Sequence, residues 1–217
     1  MSEDSQKLVR IPVDSTQLEG MLAVPNGVKG LVIFAHGSGS SRLSPRNNSV
    51  AKVLREAGLG TLLFDLLTLE EDEIYENRFD IPLLAKRLKA ATQWLVDQPE
   101  TRTLRIGYFG SSTGSAAALI AASDLGKTIG AVVSRGGRPD LAKDVLGKVH
   151  SPTLLIVGGR DEQVLELNRL ALELLHSEKR LEIIPGATHL FEESGTLEEV
   201  ARLAAEWFTR CLGSRGT

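Results

Sequence analysis

The chain has a single cysteine in 217 residues, Cys211. A lone thiol excludes an internal disulfide and suits a reducing compartment. It falls in the last predicted helix, away from every motif loop, and reads as a structural or surface thiol. No apolar run approaches the roughly 20 residues that cross a bilayer. The opening stretch, residues 1–7, is polar and has no apolar signal core behind it, so a cytoplasmic protein with no membrane partner is expected. There is no basic excess either. Lys and Arg number 25 against 28 acidic residues, and the net charge of −3 leaves no footprint for nucleic acid. Neither a dinucleotide fingerprint nor a phosphate loop occurs, so no nucleotide cofactor is expected. The four histidines lack metal spacing such as H-E-x-x-H, so no metal is expected.

What is present is ordinary for a globule, with 42% hydrophobic and 24% charged residues. A chain of this length suits one domain that buries roughly 70% of its unfolded surface. Residues 8–13 and 18–24 read as an opening hairpin joined by Asp14-Ser15-Thr16. Residues 31–35, 59–64, 105–109, 129–134, 152–157 and 180–184 read as further strands. The first of these is wholly apolar, as in a sheet covered on both faces. Helical spacing falls on 47–57, 82–97, 113–123, 162–175 and 197–212. Residues 65–80 are acidic and are expected to form an irregular surface loop. The alternation predicts an α/β fold, a three-layer α/β/α sandwich around a mostly parallel, doubly wound sheet of about eight strands. The connection 134–151 has room for one helix, near 140–146, and therefore for a minimal cap only.

Residues 110–114, Gly-Ser-Ser-Thr-Gly, stand between a strand and an alanine-rich helix. This is the pattern of a nucleophile elbow, G-x-S-x-G, with Ser112 at its centre. A strand that turns sharply into a helix strains the turn residue and frees its hydroxyl, and side chains two positions either side would collide. The helix aims unbonded N–H groups at the same point. A glycine-serine loop is otherwise only a turn, and the setting between strand and helix is what favours the elbow. Three further pieces follow strands: residues 36–41, His-Gly-Ser-Gly-Ser-Ser; 158–162, Gly-Gly-Arg-Asp-Glu; and 186–191, Gly-Ala-Thr-His-Leu-Phe. In a parallel sheet the ends of such strands share the edge where ligands bind.

The order Ser112, Asp161, His189 resembles that of the α/β-hydrolases. From about residue 18 to 212 the chain resembles the small dienelactone-hydrolase-like branch, through the 36–41 loop and the missing lid. Dienelactone hydrolases proper carry cysteine as nucleophile, whereas this chain has Ser112, which points to serine esterase chemistry. Some relatives in that branch are joined to a phosphoribosyltransferase-like domain, which is not expected within these residues.

The resemblance implies cleavage of a small-molecule carboxylic ester, thioester or lactone through an acyl-Ser112. His189 is the expected base, since an ordinary histidine titrates near 6.5. Asp161 is expected to orient it, although an aspartate here also suits a helix cap, and Glu162 is the substitute. The expected oxyanion donors are the backbone N–H groups of Thr113 and Ser38, with Gly37 next. Ser111 and Ser115 read as packing residues, His36 as a brace for the oxyanion loop, and His150 and His176 as lying off the catalytic edge. Arg135 and Arg138 follow a strand on that edge. Either would suit a substrate carboxylate, or each is a loop arginine paired with Asp140 or with water. An acyltransferase, or a non-catalytic scaffold that binds a partner, are the competing functions, and the oligomeric state stays open.

Overall fold

The computed structural model describes residues 6–213. Eight strands form one sheet: β1 (Lys7–Val13), β2 (Thr16–Ala23), β3 (Gly30–Ala35), β4 (Gly60–Phe64), β5 (Arg105–Ser111), β6 (Ile129–Arg135), β7 (Thr153–Gly158) and β8 (Lys179–Ile184). Their order is β1-β2-β4-β3-β5-β6-β7-β8. β1 and β2 form an antiparallel hairpin, β2 lies antiparallel to β4, and all other pairs are parallel. The predicted hairpin and mostly parallel sheet are present. The insertion of β4 between β2 and β3 depends on pairings between distant residues that no local pattern encodes.

The described residues also form six α-helices: α1 (Pro45–Glu56), α2 (Leu69–Glu73), α3 (Ile81–Asp97), α4 (Thr113–Leu125), α5 (Glu162–Leu174) and α6 (Thr196–Gly213). α3, α4 and α5 cover one face, while α1 and α6 cover the other. The alternation along β3 explains why both faces need covering. Leu31, Ile33 and Ala35 join the core under α3 and α4, and Val32 and Phe34 join the core under α1 and α6. α4 is apolar nearly all round, with Ala116, Ala117, Ala118, Ala121 and Ala122 all buried, which marks a helix enclosed on every side. Cys211 is buried within the α1 and α6 core, and burial raises its thiol pKa.

Two connections differ from expectation. Residues 65–80 are not irregular. Thr68 and Glu71 close a capping box at the start of α2, each side chain taking the other's backbone N–H, and a 3-10 turn, Tyr75–Phe79, follows. The expected helix at 140–146 is a longer 3-10 segment, Pro139–Lys148. α1 begins two residues before its predicted start because Ser44 caps it and Pro45 fits its first turn.

Candidate active site

The elbow between β5 and α4 is sterically determined. Ser112 has φ 49° and ψ −122°, a strained conformation for a residue with a side chain. A Cβ on Gly110 would lie 2.4 Å from Ser115 Cα, and one on Gly114 would lie 2.2 Å from the carbonyl oxygen of Ala35. Both neighbours are backbone atoms that cannot rotate aside, so only glycine fits. Ser112 N–H donates to the Arg135 carbonyl at 3.2 Å, and Ser115 Oγ–H donates to the Ser112 carbonyl at 2.6 Å. The turn is thereby fastened to the end of β6 and to the helix it opens.

His189 lies on the loop after β8, and its Nδ1 is 2.6 Å from Asp161 Oδ2. A carboxylate can only accept, so Nδ1 carries the proton and Nε2 is left to act as an acceptor. Asp161 stands at the N-cap position of α5 yet makes no side-chain capping bond. Its carboxylate is engaged by the imidazole instead, which separates it from the helix-cap alternative. Glu162 is exposed in the first turn of α5. The Asp161 side chain is 15% exposed and that of His189 is 39% exposed, so the imidazole meets solvent while its partner is sheltered.

An open cleft of about 510 Å³ brings Ser112, His189, Gly37, Ser38 and Arg135 together. A second cleft of about 520 Å³ lies across the 36–44 loop, lined by Arg42, Asp65 and Glu70 among others, and contains neither Ser112 nor His189. The 36–41 loop is held against the elbow. Ser38 N–H donates to Thr113 Oγ1 at 3.0 Å. Of the two expected oxyanion donors, the Thr113 N–H lies at the unbonded first turn of α4, whereas the Ser38 N–H is already accepted by the Thr113 hydroxyl.

His36 braces this loop. Its Nε2 accepts the Leu66 N–H at 3.0 Å, so its Nδ1 carries the proton donated to the Gly37 carbonyl, also at 3.0 Å. Burial holds its pKa below the ordinary histidine range, against the bond to Gly37 and the charges of Asp65 and Asp72. His150 and His176 are exposed, on loops at the opposite edge of the sheet.

The two arginines part company. Both arms of the Arg138 guanidinium are engaged by Asp140, at 2.8 and 2.7 Å. Arg135 is 8% exposed and lines the cleft that holds Ser112 and His189.

Two supporting residues carry no motif and leave no signal in the sequence. Glu193 accepts the Thr188 N–H at 3.1 Å and steadies the loop beside His189. Asn168, fully buried on α5, donates to the Gly137 carbonyl at 3.0 Å and holds the loop after Arg135. Among the described residues no cluster of three or more His, Cys, Asp or Glu could hold a metal ion, and no helix is long and apolar enough to cross a membrane.

Comparison with known proteins agrees with this architecture. The profile of the alpha/beta hydrolase domain matches residues 28–206. A crystal structure of dienelactone hydrolase from Anabaena variabilis is 57% identical, covers 96% of this chain and 98% of its own, and superposes with a TM-score of 0.94. A Mycobacterium tuberculosis protein with the provisional name phosphoribosyl transferase is 58% identical over 200 residues. That match takes in 92% of this chain but 45% of the mycobacterial protein, so the chain spans under half of that relative's length. A lidless serine hydrolase from Xanthomonas campestris shares the fold at 19% identity, with a TM-score of 0.77 over 100% of this chain and 99% of its own. The elbow, the sheet order and these likenesses converge: the chain belongs to the alpha/beta hydrolase family.

Proposed function

We propose that the chain is a serine hydrolase that cleaves a carboxylic ester, thioester or lactone through an acyl-enzyme on Ser112. The observation that carries this reading is the engagement of Asp161 by His189 rather than by its own helix, on an imidazole that shares the cleft with Ser112. A free serine hydroxyl is a poor nucleophile and needs an adjacent base. His189 Nε2 takes the Ser112 proton as Oγ bonds to the substrate carbonyl carbon. The carbonyl oxygen becomes an oxyanion and receives the Thr113 N–H, while the Ser38 N–H exchanges the Thr113 hydroxyl for it. The C–O bond to the leaving group then breaks, and His189 protonates the departing alcohol oxygen. Water enters the open cleft, loses a proton to His189 and attacks the acyl carbon. The acid leaves, and the proton returns to Ser112.

Asp161 keeps Nδ1 protonated and stabilises the imidazolium during both transfers. Serine at position 112, where dienelactone hydrolases carry cysteine, favours ester chemistry with an oxygen-acyl intermediate. The phosphoribosyl transfer in the mycobacterial relative's name is said of a protein more than twice the length of the matched stretch. A chromogenic ester tests the reading. Rapid mixing is expected to release a burst of alcohol equal to the enzyme concentration, and Ser112→Ala is expected to abolish it by several orders of magnitude. Undiminished turnover by the purified variant would remove Ser112 from the chemistry.

A further inference from the structure

Arg135 ends β6 and is 8% exposed. Its Nη1 is fully buried and has no hydrogen-bond partner among the described residues. It makes no ion pair there either, while Asp161 is engaged by His189 and Asp140 by Arg138. The guanidinium lies over the ring of Phe109, 6.0 Å from its centroid. Burial, and then the like charge of Arg46, push its pKa down to about 10, so it remains charged at neutral pH. A buried charge is costly unless something pairs with it. Arg46, in the first turn of α1, lines the same cleft and pairs with the exposed Glu192 at 3.2 Å. Two cations therefore converge on the cleft that holds Ser112 and His189, and the Arg135 carbonyl accepts the Ser112 N–H at 3.2 Å.

We propose that Arg135, with Arg46, forms an anion subsite that selects substrates bearing a carboxylate or phosphate group beside the scissile ester. The proposal rests on the reading of this cleft as the hydrolytic site. The guanidinium fork matches either group in a bidentate manner. Arg138, held by Asp140, has no part in it.

The test compares mono-4-nitrophenyl glutarate with neutral 4-nitrophenyl pentanoate, in the wild type, Arg135→Met and Arg46→Met, at constant ionic strength. A charged hydrogen bond corresponds to about a ten- to hundred-fold effect. In each variant kcat/KM for the anionic ester is expected to fall by that factor relative to the neutral one. Arg46 is half-exposed, so its variant keeps the test valid if Arg135→Met fails to fold. Glutarate and inorganic phosphate are then tested as inhibitors of pentanoate hydrolysis and as stabilisers against heat. Protection by glutarate points to a carboxylate substrate, and protection by phosphate to a phosphorylated one. In either case protection is expected to be lost in the variants. Equal effects on both esters, with no protection by either anion, would overturn the proposal. If neither ester is hydrolysed by the wild type, the hydrolase reading fails, and anion protection alone decides the subsite.

Discussion

Asp161→Asn separates a working triad from a mere juxtaposition. The change is isosteric, and the Asp161 side chain is 15% exposed with one side-chain partner among the described residues, His189 Nδ1 at 2.6 Å. It makes no capping bond to α5, so the fold depends little on its charge. Stability is therefore expected to change by no more than one hydrogen bond, about 0.5–1.5 kcal/mol. Catalysis has two things to lose. The charge-assisted bond that steadies the imidazolium is worth roughly 1.5–3 kcal/mol, or about ten- to a hundred-fold in rate. An amide nitrogen turned toward Nδ1 would also favour the tautomer with its proton on Nε2, which cannot accept from Ser112. With both effects kcat is expected to fall by about 10²–10⁴, with KM little changed. Steady-state kinetics on a chromogenic ester, beside a thermal melt, reads both quantities. Glu162→Gln is the control, expected to retain full activity. An Asp161→Asn enzyme with more than a third of wild-type kcat would mean that Asp161 does not act through His189.

Two further outcomes follow from the packing and from a buried base. Gly114→Ala places a methyl 2.2 and 2.4 Å from the Ala35 and His36 carbonyl oxygens, so β3 and α4 must separate. Overpacking of this kind costs about 1–3 kcal/mol, or roughly 2–12 °C in Tm for a chain of this size. A folded variant is also expected to lose about a hundred-fold in kcat, because the elbow shifts against His189; an unchanged melt and rate would contradict the elbow geometry. His36 is held neutral by burial, so its native pKa lies below its unfolded one. The unfolded state takes up the proton first, and stability is expected to be lost as pH falls below about 6.5, by at most about 1.4 kcal/mol for each unit. Denaturant titrations from pH 7.5 to 5 read this slope, and His36→Gln is expected to reduce it; an identical slope in the variant would place the titrating group elsewhere.

Much of this arrangement is legible in the sequence because its constraints are local. The apolar runs of β3 and β7, the Gly-x-Ser-x-Gly spacing and the loops after each strand are set by residues within a few positions of one another. The Thr68 and Glu71 capping box is equally local, but α2 buries no residue and so shows no apolar period to mark it as a helix. Other features are not local at all. Asn168 meets Gly137 across 31 residues, and Ser38 meets Thr113 across 75. Neither pairing leaves a periodic trace. The difference between Arg135 and Arg138 is of the same kind. Both stand near the end of one strand, and only the folded chain shows that Asp140 engages one of them and that burial isolates the other.

The central claim is that Ser112 is an activated nucleophile, and covalent capture tests it most directly. A fluorophosphonate forms a stable adduct with a serine whose proton is removed by an adjacent base. Incubation with such a reagent, followed by proteolysis and mass spectrometry, is expected to place one adduct on Ser112 with parallel loss of esterase activity. The adduct is expected to be absent in Ser112→Ala and strongly slowed in His189→Ala. Full loss of activity with the label on Ser40, Ser111 or Ser115, or no label at all on an enzyme that still turns over esters, would contradict the account.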